Sequence, residues 1–411
     1  MKKQLYLITT DFPYGNGEGS FILPELPYLQ KKFNITVISN SLSSEQTVEL
    51  PEDIKIVHYG RTASFLQKVV DSICYFFDMD AYQEIKEILK AKKKILGRLF
   101  ESILFYEEAR RFKRYLLKNQ VIPADSPAVI YCYWYDYYCY TMTSLFKKNA
   151  DIKIVTRTHR YDLYDEATNF GRQPFKRQME KRLDQIVFIA DHGRKYYSEK
   201  YAKGNRLDKY QLFYLGVKPA QVRILEKKTN DFSIVSCSLV NARKRVSLII
   251  DALNNIGDFK VHWTHFGDGP DFEDLKRYAA EKLDNHSNIK YSLKGYVQSE
   301  EIVKYYNENY IDTFITTSAS EGCPVSIQEA MSCGIPIIGT AVAEIPNMIS
   351  GNGILISENP SVEEITEAIR KMHDMCENEI QMMRKKSYEL WQQKFNSEVN
   401  SRKFADFLQN L

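Results

Sequence analysis

The segment from Asp312 to Thr340 restricts the fold more than any other part of this chain, because it spells out a complete strand, turn, helix and strand in fewer than thirty residues. Asp312-Thr-Phe-Ile-Thr-Thr317 is apolar and β-branched enough for a buried strand. Pro324 stands where a helix begins, and the helix is expected from about Val325 to Cys333. Gly334 provides a left-handed stop, Pro336 prevents continuation, and Ile335 to Gly339 reads as the next strand. The first amides of such a helix have no partner inside it and lie at the positive end of its dipole, so the turn is suited to an anion such as a diphosphate. Glu321 lies at the mouth of the helix, and Glu329 lies about 7 Å along its axis at about 1.5 Å per residue. That separation allows one carboxylate to meet sugar hydroxyls and the other a ribose.

The same alternation runs through the rest of the chain. Leu5 to Thr9, Asn34 to Ser39 and Ile54 to Tyr59 read as strands, with a helix from Phe21 to Lys32. Ala128 to Tyr133, Lys153 to Thr158 and Gln185 to Ala190 extend the series, which implies a mostly parallel sheet covered by helices. A polar stretch, Lys218 to Asn230, is the linker candidate. A second series then begins at Phe232 to Ser236 and continues at Val261 to Phe266, Ile289 to Leu293, Thr313 to Thr317, Pro336 to Thr340 and Gly353 to Ile356. Length agrees, since 411 residues usually form two domains. The expected division is 1–217 with a helical insertion at about 62–120, a linker at 218–230, a second domain at 231–385, and one last helix, Lys386 to Leu411, crossing back to the first domain.

The segment Ser318-x-x-Glu-Gly-x-Pro-x-x-x-x-Glu-Ala-Met-x-x-Gly-x-Pro336 resembles the Glu-x7-Glu motif of retaining GT-B glycosyltransferases, family 4. The resemblance implies two doubly wound Rossmann-like domains facing each other across a cleft, and transfer of a sugar from a nucleoside diphosphate donor. It places Glu321, Gly322, Cys323, Pro324, Val325, Ser326 and Glu329 around the donor. Ile234 to Ile250 is similar to the strand, basic loop and helix that hold the diphosphate in this family, with Arg243, Lys244 and Arg245 as the cations. It departs from the commonest form, since Ser238 stands where an arginine is expected and Arg245 where a glycine is. His265-Phe-Gly-Asp-Gly-Pro270 resembles the family's glycine turn, giving Gly267 and Gly269, and Lys294-Gly-Tyr-Val297 resembles the loop against the base, giving Tyr296 and Val297. Glu344 is assigned a structural role.

In the first domain, Gly17 lies in the loop Asp11 to Phe21, whose glycines allow backbone to approach a phosphate or sugar. Its spacing misses the dinucleotide pattern, and no acid ends the second strand, which argues against a nicotinamide enzyme. His159, in Thr156 to Tyr164, resembles the histidine that faces the donor sugar in bacterial polysaccharide glycosyltransferases, with Arg157 and Asp162 as weaker candidates. Tyr131 to Tyr140 resembles an aromatic strand end of the same proteins, at least half of its tyrosines being expected only to pack.

The formal charge of +3 gives no case for nucleic acid. Seven scattered cysteines, with no Cys-x-x-Cys pair and no long apolar signal core, lead to the expectation of a reduced cytoplasmic compartment, at the inner face of the plasma membrane if membrane contact exists. Residues 86–106 pair a lysine cluster with an apolar helical face and are the candidate for peripheral contact with an anionic bilayer. Asp78-Met-Asp80 has the form of a metal-binding motif but sits inside a helical stretch and is read as coincidence. No metal or other cofactor is expected, because a GT-B enzyme stabilises its leaving group with basic side chains and helix amides. The implied reaction is transfer from a UDP- or GDP-sugar to a glycan or lipid-linked acceptor in cell-surface polysaccharide or glycolipid synthesis. A GT-B epimerase or phosphorylase, or a noncatalytic nucleotide-sugar-binding partner, are the alternatives.

Overall fold

The computed structural model describes residues 2–60, 64–146, 149–201, 207–220, 227 and 230–411. Most of the expected linker, and the start of the expected insertion at 62–63, lie outside these residues. The chain forms two compact units, one of Met1–Tyr214 with Ser401–Leu411 and one of Leu215–Asn400.

The first unit contains β1 (Lys3–Thr9), α1 (Asn16–Ile22), α2 (Leu26–Lys32), β2 (Phe33–Ser39), β3 (Lys55–His58), α3 (Phe65–Tyr75), α4 (Met79–Ala91) and α5 (Ile95–Lys118). These are followed by β4 (Ala128–Cys132), α6 (Tyr137–Phe146), β5 (Ile152–Thr158), α7 (Arg160–Leu163), α8 (Lys176–Glu180), β6 (Gln185–Phe188), α9 (Asp191–Tyr201) and β7 (Tyr210–Leu212). The seven strands are parallel, in the order β3-β2-β1-β4-β5-β6-β7. Strand side chains alternate in direction, and both faces of this sheet are covered. Leu5 and Leu7 pack in one core with Ile22, Leu29, Phe404 and Leu408. Tyr6 and Ile8 pack in another with Tyr75, Tyr106, Phe112 and Tyr138.

The second unit contains β8 (Phe232–Cys237), α10 (Ser247–Asn254), β9 (Val261–Phe266), α11 (Phe272–Leu283), β10 (Ile289–Leu293), α12 (Ser299–Glu308) and β11 (Thr313–Thr316). Then come α13 (Val325–Ser332), β12 (Ile337–Thr340), α14 (Ile345–Met348), β13 (Gly353–Ile356), α15 (Val362–His373) and α16 (Glu377–Leu390). Its six strands are also parallel, in the order β10-β9-β8-β11-β12-β13. Ile234, Trp263, Ile315 and Ile338 form its core with Ile249, Leu253, Ala279 and Ile369 from the covering helices.

Three elements differ from the sequence expectation. The helix expected over Phe21 to Lys32 is two helices, because Pro24 has no amide hydrogen to donate and Glu25, at the start of α2, turns its carboxylate inward to Arg157. The single last helix is broken: α16 ends at Leu390, Trp391–Phe395 forms a wider π turn, and α17 (Ser397–Gln409) starts afresh. The break has a cause in Asn396, whose side-chain oxygen accepts from Glu398 N and Val399 N at 3.0 and 3.3 Å and so caps a new helix. Finally, β7 is only three residues long and carried no readable alternation.

Candidate active site

In each sheet the strand order reverses at the centre, between β1 and β4 and between β8 and β11. Loops leaving the carboxyl ends of such neighbours diverge to opposite sides and open a crevice between them. In the second unit these loops are residues 238–246 and 317–324. Hydrogen bonds to backbone hold them together: Ala319 N donates to Arg243 O at 2.8 Å, and the Thr317 hydroxyl donates to Arg245 O at 2.9 Å. Across this junction Lys244 Nζ forms an ion pair with Glu321 Oε1, and the two side chains are only 15% and 11% exposed.

Arg245, expected at the diphosphate, is engaged with backbone. Its backbone is left-handed, with φ 51°. Its guanidinium donates to Thr317 O at 2.7 Å, Ser318 O at 3.1 Å and Glu358 O at 2.8 Å, so it ties three backbone segments together and has little left for a ligand. Arg243 is exposed, and its carbonyl is the acceptor for Ala319.

Beyond Glu321 the chain enters α13. Pro324 is extended, at φ −64° and ψ 121°, and no side chain caps the helix. Val325 and Ser326 therefore open the helix with uncapped amides, Val325 being exposed. Gly322 O accepts from Glu344 N at 3.3 Å, and the Cys323 Sγ accepts from Gln328 Nε2 at 3.2 Å, so both residues brace the turn. Burial raises the Cys323 thiol well above its ordinary range and keeps it neutral. Gly334 ends the helix region at φ +69°.

Glu329 faces inward from α13 and is almost wholly buried. Ser299 Oγ, at the start of α12, donates to its carboxylate. Desolvation outweighs that hydrogen bond and pushes the carboxyl up to about 7. The bond also connects Glu329 to the loop of Tyr296 and Val297, where Tyr296 is exposed. Gly267 and Gly269 are required by the close approach of neighbouring backbone. A Cβ on Gly267 would lie 2.0 Å from Ser238 O, and one on Gly269 2.3 Å from Val240 O. The glycines let this turn pass against the backbone of the basic loop, and Val240 N donates to Asp268 O at 2.7 Å to fix it.

The first unit has a corresponding cluster. Glu18, on α1, accepts from the amides of Thr10, Asp11 and Phe12 at 2.9, 2.7 and 2.7 Å and from the indole of Trp134. One buried carboxylate thus folds the glycine loop onto the end of β4. Gly17 next to it is open, since an added Cβ would meet nothing within 4 Å. His159 follows β5 and lies against Tyr133 and Trp134, with ring centroids 4.9 and 4.4 Å away. Its Nε2 lies 3.2 Å from Tyr133 O, so Nε2 carries the proton and Nδ1 is an acceptor. Desolvation, with Arg157 nearby, lowers its pKa to about 3. His159 is neutral at physiological pH.

Arg157 and Asp162 are structural. Arg157 is buried in an ion pair with Glu25 and lies 4.3 Å from the Phe404 ring, while Asp162 accepts from Tyr135 N and His159 N at 2.8 and 2.7 Å. Tyr131, Tyr133, Tyr135 and Tyr138 are buried and pack. Asp78 caps α4 and Asp80 pairs with Arg182 at 2.7 Å, so this pair is engaged within the protein. The sequence reading missed Glu18 and Ser299. An acid in the first turn of a helix after a glycine loop was the available signal for Glu18; Ser299 carried none.

Residues 217–389 match the family described as Glycosyl transferases group 1. A putative colanic acid biosynthesis glycosyltransferase, WcaL of Escherichia coli K12, is 23% identical over 272 residues, which cover 63% of this chain and 64% of that protein. The chain thus spans a little under two thirds of that relative's length. Among solved structures, the lipopolysaccharide outer core galactosyltransferase WaaB in apo form has a TM-score of 0.64 at 16% identity, covering 98% of this chain and 99% of that one. Anabaena Alr3699/HepE in complex with UDP-glucose has a TM-score of 0.62 at 12% identity, covering 99% and 100%. Two parallel sheets with this strand order, and the likeness of nearly the whole chain to these solved structures, give it the GT-B fold, and within it residues 217–389 match the glycosyl transferases group 1.

Proposed function

We propose that this protein transfers a sugar from a nucleoside diphosphate donor to a hydroxyl of a glycan or lipid-linked acceptor in bacterial cell-surface polysaccharide or lipopolysaccharide assembly. The observation that carries this reading is the Lys244–Glu321 ion pair at the mouth of the uncapped helix α13. A diphosphate entering there finds the first amides of α13 and an ammonium whose charged partner, among the described residues, is a carboxylate that the phosphate can replace. Lys244 then offsets the charge that develops on the leaving phosphate, and Glu321, released from it, accepts hydrogen bonds from the donor sugar. Glu329, close to half-protonated near neutrality, is suited to the ribose hydroxyls.

In the proposed step the acceptor oxygen attacks the anomeric carbon as the bond from that carbon to the phosphate oxygen breaks. The electron pair leaves on the nucleoside diphosphate, and the acceptor proton passes to the departing phosphate oxygen. Attack on the same face gives retention without a protein nucleophile. The names of the WcaL and WaaB relatives favour a surface-polysaccharide or lipopolysaccharide acceptor, and UDP-glucose bound to HepE favours a UDP-sugar over a GDP-sugar. Action at the cytoplasmic face of the membrane, where such donors are made, belongs to the same proposal.

Purified protein incubated with UDP- and GDP-sugars and a lipid-glycan extract is expected to release nucleoside diphosphate from at least one donor. Glu321→Gln is expected to lower that rate by about 100-fold or more with an unchanged melting profile. No release from any donor, with the extract present, overturns the proposal.

A further inference from the structure

Helix α3 is built inside out. Its one acid, Asp71, has a fully buried side chain, held by Arg110 Nε at 3.1 Å and Arg114 Nη2 at 2.6 Å, and Tyr75 one turn later reaches Ser102 Oγ at 2.9 Å. Its apolar residues face solvent instead. Phe65, Leu66, Val70 and Ile73, with Phe76 and Phe77 just beyond the helix, are all exposed, Phe77 to 85% and Leu66 to 74%. A capping box between Ser64 and Gln67 holds the helix in this orientation, so the exposure is not a frayed end. Contiguous exposed apolar surface of this kind is rare on a soluble protein and marks a place of contact.

The charges around this face indicate what it meets. Between residues 65 and 94 most of the acids are engaged within the protein: Asp78 caps α4 and accepts from Tyr106, Asp80 pairs with Arg182 and Glu84 with Arg172, while the partly exposed Glu87 lies 3.5 Å from Arg177 and 3.9 Å from Lys90. Lys68, Lys86, Lys90, Lys92, Lys93 and Lys94 are exposed. The outer side of this insertion is therefore apolar and cationic together, which is the character of helices that lie in a bilayer interface carrying anionic headgroups. Two copies paired through the same face would bring like-charged lysine clusters together, which disfavours a self-association surface.

We propose that α3 lies in the headgroup region of a bilayer containing anionic phospholipid, with its phenylalanines and leucine inserted and the lysine-rich turn between α4 and α5 against the phosphates. This extends the contact from the 86–106 segment expected from sequence, where Leu99, Ile103 and Phe105 pack on the core of the first unit but Leu89, Leu96, Phe100 and Leu104 are exposed, to the apolar face of α3. The inference is independent of the transfer reaction.

The test is flotation of the full chain with vesicles of phosphatidylcholine containing phosphatidylglycerol, and with phosphatidylcholine alone. Binding to the anionic vesicles that weakens with salt is expected. Leu66→Ser with Phe77→Ser should lower it by about tenfold or more, and Lys92→Glu with Lys93→Glu by about fivefold for each charge removed. Thermal melting identical to the parent will show that these exposed substitutions leave the fold intact. Absence of flotation, equal flotation with both vesicle types, or insensitivity to the serine pair overturns the proposal. So does a concentration-dependent dimer, detected by light scattering, that the serine pair abolishes.

Discussion

Each sheet carries a buried or half-buried glutamate at its switch point, after the inner strand β1 in the first unit and after β11 on the other side of the reversal in the second, and the two glutamates are satisfied in opposite ways. Glu321, in the second unit, is paired with the ammonium of Lys244, a charge that an incoming phosphate can take over. Glu18, in the first unit, is surrounded by three amides of its own loop and the Trp134 indole, donors that no ligand needs to displace. Under the proposed function, one carboxylate is held in an interaction that donor binding would rearrange. The other is part of the frame that shapes its loop. A carboxylate at a switch point is thus assigned to chemistry or to architecture by the identity of its partners rather than by its position.

The largest effects expected follow from the Lys244–Glu321 pair. Lys244→Met is expected to lower kcat for donor turnover by about 100- to 1000-fold, or about 3 to 4 kcal/mol of transition-state stabilisation, and Lys244→Arg to recover part of it. Because the two residues act as a unit, the double variant with Glu321→Gln should be little slower than either single variant. Steady-state measurement of nucleoside diphosphate release reads this directly, and strictly multiplicative losses would show that the two side chains work separately.

Glu18→Gln tests the other side of the comparison. Replacing the carboxylate leaves one carbonyl oxygen for four donors and turns an NH2 group toward them, at a cost of about 2 to 4 kcal/mol. Urea denaturation should show an earlier transition for the first unit, with donor affinity nearly unchanged. If turnover falls as far as it does for Lys244→Met while stability holds, Glu18 belongs with the chemistry. Arg245→Ala stands between the two cases. Its guanidinium clamps Thr317, Ser318 and Glu358, so a stability loss of about 1 to 2 kcal/mol and a loss of donor affinity below about tenfold are expected. An affinity loss as large as that of Lys244→Met would return Arg245 to the diphosphate.

The fold was legible where local chemistry and tertiary packing agree. The strand and helix limits from Phe232 to Ile356 follow from apolar runs closed by Gly267, Gly334 and Pro336, whose conformational effects are local. Boundaries failed where a side chain acts at long range or competes with the helix, as Glu25 does through Arg157 and Asn396 does by capping α17. The same holds for the site. Glu321 and Lys244 stand in motifs with recognisable neighbours, whereas Ser299 lies thirty residues from Glu329 and only the folded sheet brings them together. The basic cluster Arg243-Lys-Arg245 shows the limit of motif reading most clearly. Three adjacent cations look alike in sequence, and in the structure one is exposed, one pairs with Glu321 and one clamps backbone.

Glu329 gives the smallest effect and the finest test of the donor half. Its carboxyl is raised to about 7 from an ordinary 4.5 because burial outweighs the bond from Ser299. The folded protein therefore keeps a proton that the unfolded chain gives up, so stability of the second unit declines as pH rises from 4.5 to 7 and the loss is complete above that window. The total is at most about 3 kcal/mol, and Glu329→Gln is expected to flatten the decline in melting temperature across it. A bound nucleotide whose ribose hydroxyls donate to Glu329 favours the ionised form, so its stabilising effect should be larger above pH 7 than below it. Thermal shift with UDP on both sides of that value, for the parent and for Glu329→Gln, measures the coupling. A UDP shift that is the same at both pH values in the parent separates Glu329 from the ribose and leaves it a buried carboxyl that only orders the loop through Ser299.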